Sequence, residues 1–511
     1  MSFDEIESFL SAPETYGTNG RVDVVRTHAA MVFLVGEHAY KVKRPVRYDY
    51  LDFSTLDARR AMLRRELELN KPGAPEIYLG LVPVTRGADG GLKLGGESEV
   101  AEWCLHMRRF PKGAELSEVA GRGELTLGIA EDIGCAIAEL HARAEIRDAD
   151  GRALVAEIAG ELDSAFSGMT DVFGAARINR FRARVAARID AQATLLSDRG
   201  RAGHVRRGHG DLHLGNMVLL DGRPVPFDAL EFDERLGTLD VLYDLAFALM
   251  DLLHCGFPVA ANAVLGAYLI RADQPDHLDG LAALPLFLGL RAGIRAMVSV
   301  QAAQLADDAA ADFGTARKYL DHALDYLAPP PPRLVAIGGY SGTGKTTLAR
   351  QLAPGIGAAP GAIHLRSDLQ RKALFGVDPM SHLPDAAYSE AAGRRVYAHL
   401  LDDAERILKA GHSVILDAVH ARAEDRRRVA ELARRAGVAM TGLWLQADED
   451  ILVARVTERR GDASDADAEV VRKQLATRAA APDWVHLETG GALSATLDAA
   501  RAAIARGGWT C

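Results

Sequence analysis

Two stretches of this 511-residue chain carry residue types spaced for phosphate chemistry. The first is His209-Gly210-Asp211-Leu212-His213-Leu214-Gly215-Asn216, followed by a hydrophobic hairpin and then Val225-Pro226-Phe227-Asp228. Placing a phosphoryl group on an alcohol needs a carboxylate that orients the hydroxyl, and oxygen ligands for a metal ion that bridges the nucleotide phosphates. An Asp, an Asn five residues on and a second Asp beyond a hairpin supply that set. Asp and Asn in turns often only satisfy backbone groups, but the length of the pattern and the distance to the second Asp favour the chemical reading.

The second stretch is Gly339-Tyr340-Ser341-Gly342-Thr343-Gly344-Lys345-Thr346, with Thr347-Leu348-Ala349-Arg350 opening a helix. It is a GxxxxGK[ST] loop in a strand–loop–helix context. Its glycines let backbone N–H groups converge on phosphate oxygens, and the helix N-terminus adds a positive dipole. Lys345 is expected to reach the β- and γ-phosphates and Thr346 to offer Mg²⁺ a hydroxyl. Ser413-Val414-Ile415-Leu416-Asp417 reads as an apolar strand ending in an acid that serves the same metal. Ile363-His364-Leu365-Arg366-Ser367-Asp368 is another strand with a terminal acid, followed by Arg371. In a parallel sheet ligands gather at the carboxyl ends of the strands, so Asp368, Asp417 and the glycine loop should converge.

The elements around the first stretch read as a small sheet lobe and then a helical one. Met31–Val35 is a strand, Gly36-Glu37 a turn, and Ala39-Tyr40-Lys41-Val42-Lys43 returns with alternating faces. Ser54 is expected to cap a helix running to about Asn70, before Pro72-Gly73. Lys41 lies on the face suited to phosphates and Lys43 is its rival on that same face. Glu66, four residues after Met62, falls on the inward side of the helix as the expected partner of the lysine, whereas Glu68 falls with Arg64. Glu102–Phe110 is another strand. From about Glu115 helical periodicity dominates, interrupted by a strand-rich island at Val205–Phe232. Pro329-Pro330-Pro331-Pro332 suits neither helix nor central strand and marks a boundary.

Residues 1–325 resemble the aminoglycoside phosphotransferase family of kinase-fold enzymes, whose signature HGDLHxxN is met at 209–216. The resemblance implies that Asp211 is the catalytic base, that Asn216 and Asp228 are Mg²⁺ ligands, that His209 braces the loop and that Asp244, in Tyr243-Asp244-Leu245-Ala246, is structural. This chain departs from the kinase pattern in having Arg26-Thr27-His28-Ala29-Ala30 where a glycine-rich loop would stand. Residues from Arg333 onward resemble the small P-loop kinases related to polynucleotide kinase, chloramphenicol phosphotransferase and the zeta toxins. Carried over, Asp368 deprotonates the acceptor hydroxyl, Arg371 holds substrate or phosphate, Asp417 supports Mg²⁺ through water, and Arg455 or Arg459 neutralises charge on the transferred group. The polar stretch 459–467 reads as a mobile lid or substrate loop.

The expected architecture is an α+β bilobal protein-kinase-like domain at 1–328 (sheet lobe about 1–110, helical lobe about 111–328), a proline linker at 329–332, and an α/β P-loop domain with a mainly parallel sheet at 333–511. Composition sets limits on partners. Hydrophobic residues at 48% and charged residues at 25% exclude wholesale disorder. A net charge of −10 argues against a dedicated nucleic-acid coat. Basic pairs such as Arg59-Arg60 read as solvated helix surface. The four cysteines are scattered, without metal spacing, as in a reducing cytoplasm. The acidic start MSFDEIESFL is no signal peptide, and the apolar run Leu252–Ile270 reads as two buried helices broken at Gly256–Pro258 rather than a membrane span. The sequence thus points to a cytoplasmic enzyme with ATP and Mg²⁺ at two sites, phosphorylating hydroxyls of small molecules. Two other readings stand beside it: one half is a nucleotide sensor gating the other, or the P-loop half phosphorylates a nucleic-acid 5′-hydroxyl. The substrates and oligomeric state are not readable.

Overall fold

The computed structural model describes residues 3–48, 51–305, 313–378, 381–458, 464–476 and 483–507. Compactness divides the chain into one unit of residues 1–149 and 200–248 and another of 150–199 and 249–511, so the dense packing is not partitioned at the proline run. Residues 329–332 themselves are neither helix nor strand, as four fixed φ angles dictate.

The first unit is built on a six-stranded antiparallel sheet in the order Asp23–Arg26, Ala30–Val35, His38–Lys43, Glu99–Arg108, Tyr78–Arg86 and Leu92–Leu94. Alternation in His38–Lys43 puts Lys41 and Lys43 on one face, with Tyr40 and Val42 on the other, where Ile6, Leu10 and Phe33 cover them. Helix Leu56–Asn70 packs on this sheet with Leu63 and Glu66 fully buried. Its cap is Thr55, whose hydroxyl accepts from Ala58 N at 3.2 Å, because Ser54 is engaged by Asp52. Two basic residues expected in solvent are not there. Arg59 is buried against Glu102 at 2.7 Å, and Arg60 lies 4.6 Å from the Trp103 ring centroid. The surface partner of Glu68 is Arg65, at 3.7 Å, rather than Arg64. The turn at Thr27 is closed by Ala30 N donating to Thr27 Oγ1 at 3.0 Å, and Arg44 binds the Thr27 carbonyl at 3.1 Å. This hairpin is tight and carries no glycine loop.

The island expected at 205–232 forms two ladders, Val205–Arg207 with Thr238–Asp240 and Met217–Leu220 with Arg223–Pro226. The hairpin tip uses Asp221 and Gly222, both at positive φ, as a two-residue turn requires.

The second unit holds a five-stranded, fully parallel sheet in the order Ile363–Arg366, Val414–Asp417, Arg333–Gly339, Ala439–Gln446 and Val485–Glu488. The sequence does not mark the last strand, since Val485–Glu488 is a four-residue strand at the sheet edge, too short for its alternation to stand out. Near-continuous burial of the central strands fits a sheet covered on both faces. The same unit contains the helices of 150–199 and 249–327. Val241–His254 and Pro258–Ala272 are separate helices, broken where Gly256 takes φ +85° and Pro258 starts the second. The stretch Pro275–Gln304 is long and apolar enough to cross a membrane, but 72% of its most apolar window is buried inside the fold, as in the core helix of a globular protein.

Candidate functional sites

In the first unit the predicted residues meet. Strand His38–Lys43 delivers Lys41, whose Nζ donates to Glu66 Oε1 at 2.7 Å and to Asp228 Oδ1 at 2.8 Å. Burial alone would lower the Lys41 pKa, but attraction to Asp228, Glu66 and Glu231 wins and holds it well above the usual lysine range. Burial likewise pushes the Asp228 carboxyl up, and Lys41 and Lys43 more than offset it, so Asp228 stays below its ordinary value. Both groups are charged at neutral pH. Asp228 sits at φ +60°, held in this costly conformation by its N–H donating to Tyr78 Oη at 3.0 Å and by Ala229 N–H donating to Asn70 Oδ1 at 2.9 Å.

The loop carrying Asp211 is fixed from below. Asn216 Nδ2 donates to the Asp211 carbonyl and to Asp211 Oδ2, both at 2.9 Å. Phe227 N–H donates to the Asn216 carbonyl at 2.9 Å, which places Asp228 next to that bridge. His209 Nε2 meets the Phe227 carbonyl at 2.8 Å, and burial lowers the His209 pKa, so the ring is a neutral brace. Asp244, fully buried, accepts from His209 N at 2.7 Å, from Gly210 N at 3.0 Å and lies 3.2 Å from His141 Nε2. Replacing it by Ala strands two buried N–H donors, each worth roughly 1–3 kcal/mol unsatisfied. Asp244→Ala is therefore expected to destabilise the unit by about 3 kcal/mol and to speed hydrogen exchange at the His209 and Gly210 amides before that of the sheet. Unchanged exchange there would show that the carboxylate is dispensable.

In the second unit, helix Lys345–Leu352 begins directly after the loop, with Gly342 and Gly344 both at φ +85°. A Cβ on Gly342 would stand 2.7 Å from the Leu452 carbonyl oxygen, so the backbone approach itself demands glycine there. Lys345 Nζ donates to the Tyr340 carbonyl at 3.0 Å, curling over the loop. Thr346 Oγ1 donates to Asp417 Oδ2 at 2.7 Å, and His364 Nε2 lies 3.1 Å from that same oxygen. Burial would raise the Asp417 pKa, yet the hydrogen bond to His364 and the charges of Lys345 and Arg366 drive it far down.

Asp368 is not at a strand end, as expected, but in the first turn of helix Ser367–Leu374, since the strand stops at Arg366. It lines the same cavity as the glycine loop and Asp417, a space of about 1040 Å³. Burial and the neighbouring Asp417 charge raise its pKa above the ordinary carboxyl value, against the pull of Lys345 and Arg366. Arg371, three residues on in that helix, donates to the Ala387 carbonyl at 2.6 Å and stacks 5.0 Å from the Tyr388 ring centroid. Arg455 is tied to the loop, with Nη1 3.4 Å from the Gly342 carbonyl and Nη2 2.7 Å from that of Thr489. Arg459 lies outside the described residues.

The described part of the expected mobile lid is pinned. Asp465 accepts from Lys372 Nζ at 2.8 Å, Tyr388 Oη at 2.6 Å and Leu383 N at 3.1 Å. Asp465 falls within the polar stretch expected as a lid, whereas no motif singles out Tyr388 or Gln474, whose Oε1 accepts from Ser341 N at 2.9 Å. Tyr388 lies in the short turn 385–388 and Gln474 in helix Ala468–Ala476, and no local pattern marks either position as part of a site. Lys43 is marked in the sequence by the strand face it shares with Lys41, and Glu231 was accessible in principle by its place three residues after Asp228.

The donor types suit Mg²⁺, which prefers carboxylate, amide and hydroxyl oxygens. Asp228 with the Asn216 amide oxygen forms one such set, and Thr346 with Asp417 the other.

A family model described as an AAA domain matches residues 334–481. Among solved structures, a choline/ethanolamine kinase family protein from Mesorhizobium loti covers 64% of this chain and 99% of its own, at 16% identity and TM-score 0.36. A gluconokinase from Sinorhizobium meliloti covers 34% of this chain and 93% of its own, at 20% identity and TM-score 0.25. The family model covers the part of the chain that holds the glycine loop and most of the parallel sheet. Along 482 residues, 91% of its own length and 91% of theirs, it is 32% identical to uncharacterized proteins of Mycobacterium tuberculosis and Mycobacterium bovis. Identity sustained through both halves, from the antiparallel sheet to the P-loop, makes this chain a member of the family to which those mycobacterial proteins belong.

Proposed function

We propose that the protein is an ATP-dependent kinase with two separate sites, each phosphorylating a hydroxyl group of a small molecule. One observation carries this. Both units bring a carboxylate suited to metal into hydrogen-bond reach of a nucleotide-side group distant in sequence: Asp228 with Lys41 at 2.8 Å, and Asp417 with Thr346 at 2.7 Å.

In the first site Asp211 orients the acceptor hydroxyl and takes its proton, with Asn216 fixing the carboxylate. Lys41, steadied by Glu66, meets the nucleotide phosphates. Asp228 and Asn216 are the residues that would hold Mg²⁺, which would offset charge on the nucleotide phosphates. In the second site the backbone of Gly339–Gly344 and the start of the helix at Lys345, Thr346 and Thr347 cradle the phosphates, with Tyr340, Ser341 and Thr343 shaping the loop. Thr346 and Asp417 are the residues that would hold the metal there. Asp368 accepts the acceptor proton, its raised pKa making it a better base than a free carboxylate. Arg371 faces the acceptor, and Arg455 stabilises charge near the transferred group. Arg459 stays assigned to that role by resemblance alone. A cytoplasmic setting fits these cofactors and Cys104, Cys135 and Cys255, which form no disulfide among the described residues.

The test uses γ-labelled ATP, a panel of small alcohols, sugars and sugar acids, and three variants of the full chain. Lys345→Ala should leave only products of the first site, Asp228→Asn only those of the second, and the double variant none. A double variant that still labels the panel like the parent would refute the assignment. A second reading, in which the first unit senses nucleotide and gates the other, draws on the tight Thr27–Ala30 hairpin, which offers no glycine cradle. It predicts Mg–ATP binding without labelled product in Lys345→Ala.

A further inference from the structure

Beside the expected lysine stands a second one that the reaction as described does not use. Lys43 is almost fully buried, with its side chain 4% exposed. Its Nζ donates to Glu66 Oε2 at 2.8 Å and to Glu231 Oε1 at 2.6 Å. Glu66 is thereby shared, one oxygen to each lysine, and Glu231, three residues after Asp228, is anchored to the sheet. Lys41, Lys43, Glu66, Asp228 and Glu231 form one connected network carrying a single excess negative charge. Breaking a buried pair by removing one partner is costly because the other charge stays behind uncompensated.

We propose that Lys43 is a positioning residue for nucleotide binding: by neutralising the second oxygen of Glu66 and all of Glu231, it leaves Lys41 directed at Asp228 and the phosphates. Without Lys43 the network holds two excess negative charges. The freed oxygens of Glu66 and Glu231 then compete for Lys41 and draw it from Asp228. Main-chain continuity carries the effect further, since Glu231 belongs to the same loop as Asp228. The inference rests on the reading that the first unit binds Mg–ATP.

The experiment is calorimetric titration of Mg–ATP into the full chain in a Lys345→Ala background, so that only the first site reports. Lys43→Gln should weaken binding roughly 10- to 100-fold, as loss of an orienting partner behind a binding group does. Adding Glu231→Gln returns the network to one excess charge and should restore affinity to within about threefold of the background, although it removes a further polar partner. Lys43→Arg, which keeps the charge, should stay close to the background. A merely structural role would not give recovery in the double variant. Should Lys43→Gln not fold, the comparison of Lys43→Gln/Glu231→Gln with the background still decides. Equal affinity in Lys43→Gln, or a double variant as weak as or weaker than the single one, overturns the inference while leaving the first-site reading intact. Absence of Mg–ATP binding in the Lys345→Ala background itself overturns that reading, and this inference with it.

Discussion

Asp368→Asn should abolish second-site transfer, lowering kcat by about 10²–10⁴, the range general-base groups contribute, while the protein becomes no less stable. The two outcomes belong together. Burial and the neighbouring Asp417 charge raise the Asp368 pKa, so its ionised form is disfavoured by the fold, and an uncharged isostere relieves that cost. The sign for pH follows. A base works when deprotonated, so second-site activity should rise as pH climbs through a pKa lying above the ordinary aspartate value of about 3.9. The same raised pKa means that the charged carboxylate subtracts from stability above that pH, and the subtraction vanishes in Asp368→Asn. Measuring kcat against pH together with the thermal midpoint tests both. A variant that loses activity only because it melts earlier would contradict the assignment.

Asp211→Asn should produce a comparable loss at the first site, about 10²–10⁴ in kcat, with Mg–ATP affinity little changed. The separation is geometric. Asp211 bonds to Asn216, whereas the nucleotide side of the site is the separate chain of Lys41, Glu66 and Asp228. The amide in place of the carboxylate keeps one acceptor oxygen for the Asn216 Nδ2 hydrogen bond at 2.9 Å, so the loop is held while the proton acceptor is lost. Product formation and calorimetric binding in the Lys345→Ala background distinguish the cases. A strong fall in affinity, or full activity, would remove Asp211 from the role of base.

Much of this site chemistry was legible because each phosphate motif is local. The glycines of 339–344 are dictated by positive φ and close backbone approach within one turn. The Asp211-to-Asn216 spacing closes its own hydrogen bond. Glu66 was placed by helical periodicity alone, and it is fully buried against the lysines. Where the signal weakened, the elements shifted. Asp368 moved from strand to helix because nothing in Leu365-Arg366-Ser367 marks where a short edge strand stops. Arg59 was read as surface although Glu102 waits on a strand 43 residues away.

Local order therefore marked the residues proposed to carry phosphate chemistry and, Asp368 apart, the element in which they sit, because turn geometry, capping and periodicity act over a few residues. Only tertiary structure decided the partners. The double use of Glu66, the Lys43–Glu231 pair, the Asp465 clasp and the depressed Asp417 all join segments from about 20 to nearly 190 residues apart, and burial sets their strength by removing the water that would otherwise screen them. No spacing rule reaches that far, since a buried charge is stabilised by whatever the fold brings against it.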